Sequence, residues 1–370
     1  MREYPVKLLR EMLQTYSPSG SESGLAKLLK FEMERLGFNT RIDEVGNVVG
    51  EIGTEGPELL LCGHMDTVPS DIPVGLEDGT LYGRGAVDAK SSLATMILGA
   101  SKAILEDNVP LRVRLACVVE EETTSKGFRT ILAHYPRPQL AVFGEPSGSA
   151  NIIIGYKGRI QAEVECMTDG GHAASPWVSK NSIEEAFAFW TNLRRFILSN
   201  DSDSKFNAVT GCLTGLATSG PENSIPSNAK LSIDVRLPPD TEPNQIIEKI
   251  WSMAKSYSDK NSGVRLHATV KESSRAYTTD SHSELVVACR RAIRKITGQT
   301  PSLLKKTGTS DMNLLPPGTP AIAYGPGDSS LDHTGHERIR VSEYLQSIKI
   351  FSEMLNRLGT RTVPDLEMTS

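Results

Sequence analysis

The chain has 370 residues, of which 23% are charged, and its formal net charge at pH 7 is −5. That length supplies one large domain or two ordinary ones, and it buries an ample core without disulfides or a structural metal. The composition contains no run of like charge of the kind that binds nucleic acid, and no segment approaches the roughly 20 apolar residues of a membrane span.

Helix and strand patterns alternate through the first 152 residues. The stretches "VKLLREMLQTY" and "SGLAKLLKFEMERLG" have the apolar spacing of amphipathic helices, and the N-terminus lacks the apolar block of a signal peptide. The short apolar runs "ELLLCGH", "LRVRLACVVE" and "QLAVFGEP" are typical of strands covered on both faces. With "SSLATMILGASKAIL" as a crossover helix, this region predicts a mainly parallel α/β sheet covered by helices.

A different pattern begins near residue 152. The order of strand and helix signals becomes β-α-β-β-α-β, which is typical of a small two-layer domain of ferredoxin-like type. Helical, strand and helical patterns then follow to the end of the chain. We therefore predict a discontinuous α/β domain, residues 1–152 and 273–370, with an inserted α+β domain, residues 153–272.

The cysteines indicate the compartment. They are odd in number, widely spaced and contain no C-x-x-C pair, so we expect reduced thiols in a cytoplasmic protein rather than a disulfide framework or a thiolate metal site. The five positions are Cys62, Cys117, Cys166, Cys212 and Cys289.

Acidic and imidazole side chains follow several of the predicted strands. Taken singly, such a glutamate is usually a solvated loop residue and such a histidine a satisfied core residue. In open α/β sheets, however, ligands bind beyond the carboxyl ends of the strands. Carboxylates that converge there repel one another unless a cation lies among them, and this donor set suits zinc, with cobalt or manganese as substitutes. The residues are His64, Asp66, Asp88, Glu120, Glu121, Glu122, Glu145 and His333.

Five motifs give these residues a family resemblance. In order and spacing, "GHMDTVPS", "GRGAVDAKSSLA", "VEEETTSKG", "GEPS" and "GPGDSSLDHT" resemble the motifs of the M20 family of di-zinc amidohydrolases and peptidases. That family includes acetylornithine deacetylase, succinyl-diaminopimelate desuccinylase and several carboxypeptidases. The stretches "GGHAASP" and "NSIPSNAKLSIDVRLP" of the inserted domain match as well, so the resemblance extends over the whole chain.

The resemblance implies a two-metal site. His64 and Glu145 would bind one divalent cation, Glu122 and His333 the other, and Asp88 would bridge the two. His336, three residues after His333, also fits an H-x-x-H spacing, but the family ligand corresponds to the histidine directly after Asp332. The resemblance also implies a cis peptide bond after Asp88.

Three further residues acquire roles from the resemblance without binding metal. Asp66 would accept a hydrogen bond from the far nitrogen of His64 and so fix its tautomer. Glu121 would be the general base for a metal-bound water whose pKa the two cations lower. His172, otherwise a polar loop residue, would stabilise the oxyanion in the active site of the other subunit of a homodimer joined through the inserted domain. No role is assigned to Glu120, His134, His267 or His282.

The substrate is indicated less directly. Arg159, Asn223 and Arg236 match family positions that face the substrate, often its carboxylate, which an arginine binds through two parallel hydrogen bonds. The stretch "KKTGTSDMN", residues 305–313, resembles one branch whose members are commonly called acetyl-lysine deacetylases. That branch releases lysine or ornithine from a small acidic amino-group carrier protein in lysine and arginine biosynthesis.

Other functions remain open from the residues alone. An acetylornithine deacetylase, a succinyl-diaminopimelate desuccinylase or an M20 carboxypeptidase would use the same metal site on a different acylated amino acid. A catalytically inactive relative that binds metal or peptide has no use for the base Glu121. A metal-free serine hydrolase would need a G-x-S-x-G turn, which the sequence lacks.

Overall fold

The computed structural model describes residues 3–197 and 204–360, which form two compact units. The larger unit takes in the described residues of Met1–Ile154, Thr279–Leu304 and Leu315–Ser370, and the smaller unit takes in those of Gly155–Thr278 and Lys305–Leu314.

The sequence-based boundaries differ from these units at residues 305–314. The sequence pattern placed this segment in the larger domain, whereas the structure places it in the smaller unit. The Lys157 backbone N–H donates to the Lys306 carbonyl at 3.2 Å, and the Asn313 amide donates to the carbonyls of Lys157 and Arg275. Backbone pairing between segments so far apart has no local sequence signature, which is why composition did not reveal it.

The larger unit contains a mixed sheet and six helices among the residues described. Its sheet order is β1-β2-β6-β3-β7-β17-β8, and a separate three-stranded sheet has the order β18-β5-β4. The helices are α1 (Glu3–Gln14), α2 (Ser23–Arg35), α3 (Lys90–Ser101), α4 (Lys126–His134), α7 (Glu284–Thr297) and α8 (Val341–Thr360). The strands are β1 (Asn39–Ile42), β2 (Val48–Ile52), β3 (Glu58–His64), β4 (Gly75–Glu77), β5 (Thr80–Tyr82), β6 (Arg112–Val118), β7 (Leu140–Phe143), β8 (Asn151–Tyr156), β16 (Ser302–Lys306), β17 (Ala321–Ala323) and β18 (Arg338–Arg340), with β8 and β16 running into the smaller unit.

The central strands of this sheet are parallel and buried. Strand β3 pairs in parallel with β6 and with β7, and β17 pairs in parallel with β7. The crossover helix α3 is buried along its whole length, so the sheet is covered there by apolar side chains. His64 lies opposite Val118 in the register of β3 and β6, so both strands end at the same edge. Residues that follow these strands therefore meet at that edge.

In its described residues, the smaller unit has a separate four-stranded antiparallel sheet and two α-helices. Its chain order β9-α5-β11-β13-α6-β14 and its sheet order β11-β13-β9-β14 have the predicted ferredoxin-like connectivity. Along β9, buried and partly exposed residues alternate, as expected for a sheet that packs against helices on one face. Its elements are β9 (Gly158–Met167), β10 (Gly171–His172), α5 (Ser182–Ile197), β11 (Thr210–Thr218), β12 (Ser224–Ile225), β13 (Asn228–Leu237), α6 (Pro243–Lys260), β14 (Arg265–Ser274) and β15 (Tyr277–Thr278).

The predicted fold class is thus confirmed. A mixed α/β sheet covered by helices is accompanied by a separate antiparallel α+β unit, and each unit has its own apolar core. Within the described ranges, no helix combines the length and the apolar character needed to cross a membrane.

Candidate metal centre

Three side chains from distant segments meet at the carboxyl edge of the larger sheet. His64 is the last residue of β3, Glu122 follows β6, and Asp88 lies just before α3. One ligand atom from each of these residues lies within 4.8 Å of the others. The Nε2 atom of His64 is 3.2 Å from Oδ1 of Asp88. The peptide bond between Asp88 and Ala89 is cis, as the family resemblance implied.

His333 faces the same three residues from the loop after β17. Its Nε2 atom contacts two of them, lying 3.0 Å from Oε1 of Glu122 and 3.2 Å from Oδ2 of Asp88. The two oxygens of Asp88 therefore face different imidazoles, Oδ1 towards His64 and Oδ2 towards His333. The carboxylate of Asp88 thus lies between the two imidazoles.

Glu145 lies two residues beyond the end of β7, the strand that pairs with β3. The N–H of Gly144 donates to the carbonyl of Cys62 at 2.8 Å, which fixes the end of β7 beside the end of β3. The loop after β17 approaches at Gly325, where a Cβ atom would lie 1.9 Å from Ser92 Oγ and 2.8 Å from the Glu145 carbonyl. Only glycine fits there, so α3 and the ends of β7 and β17 pack tightly around the backbone of Glu145.

The carboxylates favour positive charge at both imidazoles. Burial lowers the pKa of His64, but hydrogen bonds to Asp66 and Asp88 and the charge of Glu121 together hold that pKa well above its ordinary value. Hydrogen bonds to Asp88 and Glu122 raise the pKa of His333 to about 10. Burial opposes ionisation of Asp88, but the two imidazoles hold its pKa below the usual range. The cluster therefore attracts cations strongly, whether these are protons or metal ions.

Asp66 holds the segment that carries the glutamates. Its fully buried carboxylate accepts the backbone N–H groups of Glu121 and Glu122, each at 3.1 Å, and the hydroxyl of Ser19 at 2.7 Å. The Nδ1 atom of His64 lies 2.8 Å from the Asp66 carbonyl oxygen and 3.5 Å from its carboxylate. In this geometry the carbonyl is the closer acceptor for His64, and the carboxylate mainly positions the Glu121–Glu122 backbone.

A second buried carboxylate supports the same segment. Glu22 accepts the N–H of Glu120 at 3.1 Å and the N–H of Gly20 at 3.0 Å. Glu120 itself adopts a left-handed backbone with φ of 56°, a conformation that non-glycine residues adopt only where their surroundings impose it. The segment that carries Glu121 is therefore held from two sides, by Asp66 and by Glu22.

The proposed substrate arginines lie side by side in the smaller unit. Arg159 on β9 is paired with Arg236 on β13, and both guanidinium groups donate to the carboxylate of Asp234. Arg236 also donates to the hydroxyl of Thr309 at 3.2 Å. The segment 305–313 therefore contacts one of the predicted substrate residues within this unit.

His172 is the last residue of β10, and Asn223 directly precedes β12, which pairs with β10; both residues are exposed. The N–H of Ala174 donates to Nδ1 of His172 at 3.1 Å, so Nδ1 is the acceptor nitrogen and Nε2 carries the proton of the neutral ring. The Asn223 carbonyl accepts the N–H of Ala173 at 3.0 Å. These residues belong to a different unit from His64, Asp88, Glu122 and His333, the group of side chains called the metal cluster below.

Comparison with known proteins identifies the family. The family model described as peptidase family M20/M25/M40 matches residues 60–357. The chain belongs to peptidase family M20. It is similar to a LysW-lysine hydrolase of Deinococcus radiodurans, with 37% identity over 363 residues that cover 95% of this chain and 96% of the relative.

Solved structures share the fold of this M20 protein. A tripeptidase from Staphylococcus aureus superposes with a TM-score of 0.83 at 19% identity, over 97% of this chain and 99% of that one. An M20 metallo-carboxypeptidase from Sulfolobus solfataricus superposes with a TM-score of 0.77 at 20% identity, over 97% of this chain and 100% of that one. The protein is thus a hydrolase of the M20 family, and membership implies dependence on a metal.

The donor set of this M20 hydrolase fits such a metal. Imidazole and carboxylate donors from His64, Asp88 and Glu122 converge within reach of one ion, and His333 contacts two of these residues. These are the donors that zinc takes in catalytic sites, where no thiolate is required. The four cysteines at positions 62, 117, 166 and 289 are buried, and Cys212 lies on β11 of the smaller unit.

Sequence reasoning did not find Ser19, Glu22, Arg84 or Glu337. The stretch "SPSGSE" predicts only a turn before α2, and "GHERIR" only a loop before a strand. Each of these four side chains acts through hydrogen bonds to segments remote in the sequence. A polar residue that reaches a distant loop has no spacing pattern that would reveal it.

Proposed function

We propose that this M20 hydrolase cleaves the amide bond that joins lysine or ornithine to a small acidic amino-group carrier protein, in lysine and arginine biosynthesis. The near full-length similarity to the LysW-lysine hydrolase of Deinococcus radiodurans supports the substrate class. The cluster of imidazoles and carboxylates at the sheet edge supports hydrolysis as the chemistry.

The cluster would hold two divalent cations, zinc in the first place, with cobalt or manganese able to substitute. His64 and Glu145 would bind one, Glu122 and His333 the other, and Asp88 both, a division that the opposed contacts of Oδ1 and Oδ2 support. When bound, the cations would lower the pKa of the attacking water and polarise the scissile carbonyl.

Glu121 would act as the general base. Its carboxylate would take the proton of the attacking water and deliver it to the leaving nitrogen, because an amine leaves readily only when protonated. One contact supports this role: the buried Asp66 carboxylate holds the Glu121 backbone N–H beside the cluster. A base fixed in this way does not have to be ordered when the substrate binds.

His172 would donate a hydrogen bond from Nε2 to the developing oxyanion, since Nδ1 already accepts from Ala174. We propose that it does so in the partner subunit of a homodimer formed through the smaller unit. Strand β11 lies at the edge of its sheet, and Trp177 and Val178, close to His172 in the chain, are 81% and 72% exposed. An edge strand and exposed apolar side chains are each features that a second copy could cover.

Arg159, Arg236 and Asn223 would bind the carboxylate and backbone groups of the amino acid or of the carrier segment attached to it. Asp234 contacts both guanidinium groups, and Glu272 lies 3.8 Å from Arg159, so a substrate carboxylate would bind by adding hydrogen bonds to the remaining guanidinium N–H groups. The contact between Arg236 and Thr309 would make residues 305–313 sensitive to the group bound there.

A direct comparison of substrates tests this function. The protein is treated with chelator, reloaded with zinc, cobalt or manganese, and assayed against carrier-linked lysine, carrier-linked ornithine, acetylornithine, succinyl-diaminopimelate and dipeptides. We expect activity only in the metal-loaded protein, and the highest kcat/KM for a carrier-linked substrate. A higher kcat/KM for any of the free small molecules would disprove the carrier assignment. Full activity after metal removal would disprove the metal mechanism.

A further inference from the structure

A fully buried carboxylate joins the loop of Asp88 to the loop of His333. Oε1 of Glu337 accepts the backbone N–H groups of Val87 and Asp88, each at 2.8 Å. Its Oε2 accepts a hydrogen bond from Arg84 at 2.7 Å. Glu337 and the Val87 backbone that it holds are 250 residues apart in the sequence.

Arg84 makes the reciprocal connection. This side chain, 5% exposed, donates to the carbonyl of Thr334 at 3.0 Å and to the carbonyl of Ser70 at 3.3 Å. Thr334 directly follows His333. Each loop therefore reaches the backbone of the other beside a proposed metal ligand, Glu337 beside Asp88 and Arg84 beside His333.

The link extends a small sheet towards the metal cluster. Strand β18 begins directly after Glu337 and pairs with β5, with Arg338 opposite Tyr82. The N–H of Gly83 then donates to the Glu337 carbonyl at 3.3 Å. His333 has a left-handed backbone with φ of 60° and lies in a loop rather than a strand. The Glu337–Arg84 pair is thus a direct path by which regular structure can fix the distance between His333 and Asp88.

We propose that Glu337 and Arg84 are positioning residues that set the spacing of Asp88 and His333 for one divalent cation. The inference rests on the metal centre proposed above. Removing one member of a buried ion pair leaves an uncompensated charge, and stability alone could be served as well by apolar side chains. Groups that orient metal ligands typically contribute about 10–100-fold to metal affinity. We expect the cation at Glu122 and His333 to depend on this pair more than the cation at His64 and Glu145.

The test compares Glu337→Gln with Glu58→Gln by metal binding, without substrate. The glutamine at position 337 keeps a carbonyl acceptor for the two N–H groups but presents an amide to Arg84. Glu58 accepts a charged hydrogen bond from Arg114 at 2.6 Å at the opposite end of β3 from His64, so it controls for loss of an ion pair away from the cluster. Each protein is stripped of metal and titrated with zinc against a competing chelator, and with cobalt while the visible absorption of the bound ion is recorded.

We expect wild type and Glu58→Gln to bind two cations alike. In Glu337→Gln, the dissociation constant of one cation should rise about 10–100-fold and its cobalt spectrum should change. Arg84→Lys keeps the charge but cannot contact both Glu337 and Thr334. It should show a smaller rise in the dissociation constant of the same cation. If Glu337→Gln does not fold, the metal affinity of Arg84→Lys provides the test instead.

Two results would overturn the inference. One is wild-type affinity for both cations in folded Glu337→Gln, or in Arg84→Lys if only that variant folds. The other is a loss of metal affinity in Glu58→Gln as large as the loss in Glu337→Gln. If the wild-type protein bound no divalent cation, the proposed metal centre itself would be disproved, and this outcome is distinct from a failure of the positioning role alone.

Discussion

The metal cluster and the proposed recognition residues are built in different ways. In the larger unit, buried carboxylates of Asp66 and Glu337 hold the backbone beside the candidate ligands, and His64 is only 2% exposed. In the smaller unit, His172 at the end of the two-residue strand β10 and Asn223 in the turn before β12 are both exposed. The difference indicates that the backbone carrying Asp88, Glu121 and Glu122 is held in place before the substrate binds. The groups that recognise the substrate would reach their final positions only with a substrate or a partner present.

The largest effect should come from the base. Glu121→Gln removes only a proton acceptor, so turnover should fall roughly 10²–10⁴-fold while metal content and fold are kept. Glu120→Gln is the matched control, since it makes the same change at the adjacent residue, and it should keep most of the activity. Steady-state kinetics together with metal analysis give the answer. A Glu121→Gln enzyme with more than about a tenth of wild-type turnover would mean that another group is the base.

The next largest effect should come from His172 in the smaller unit. His172→Ala should lower kcat by about 10²–10³-fold, as loss of an oxyanion donor does, and should leave metal affinity unchanged. Mixing His172→Ala with Glu121→Gln under conditions that exchange subunits should restore activity, because a mixed dimer has one site with both native residues.

That mixing experiment has a clear negative outcome. If subunit exchange is demonstrated and activity does not return, His172 acts within its own subunit or has no catalytic role. The proposal that a partner subunit completes the active site with His172 would then be wrong.

The charge of the cluster predicts how the metal-free protein responds to pH. The pKa of His333 is raised from 6.5 to about 10, and that of His64 is raised as well. Protonated imidazoles therefore stabilise the fold fully below about pH 6.5, and this contribution is lost as the pH rises through about 10. Thermal unfolding of metal-free protein should show stability falling across this range.

Two comparisons sharpen the pH experiment. His333→Asn should reduce the slope of stability against pH. Added zinc should reverse its sign, because the metal binds neutral imidazole and displaces protons. Metal-free protein whose stability is constant or rises between pH 6.5 and 10 would contradict the electrostatics described for the cluster.

The smallest effect should come from Ser19. Ser19→Ala removes one of the hydrogen bonds to the Asp66 carboxylate, and a hydrogen bond to a charged group contributes about 1.5–3 kcal/mol to stability. The midpoint of urea unfolding should fall, with a modest loss of turnover. Ser21→Ala, at an exposed position of the same segment, should change neither. Equal behaviour of the two variants would show that the segment does not support the cluster.

The sequence by itself determined the fold class and the set of candidate ligands. Apolar runs such as "ELLLCGH" are local signals of buried strands, and residues that follow parallel strands share an edge for geometric reasons. His64 and Glu122 could therefore be predicted to converge, and Asp88 was expected with them from its Gly-rich segment just before a helix. In the structure, one ligand atom of each of the three lies within 4.8 Å of the others. The order of the elements in residues 153–272 likewise determined the ferredoxin-like connectivity of the smaller unit.

Only the tertiary structure revealed what holds these residues in place. The most remote contacts of Ser19, Glu22, Arg84 and Glu337 span between 47 and 253 positions of the chain. Lys306 and Asn313, in the segment 305–314, form hydrogen bonds with the Lys157 backbone in the smaller unit. The split contacts of Asp88 and the closer approach of His64 Nδ1 to a carbonyl than to a carboxylate are also features of the folded geometry. A side-chain hydrogen bond depends on the final distance between two segments, and that distance is set by packing rather than by any periodicity in the sequence.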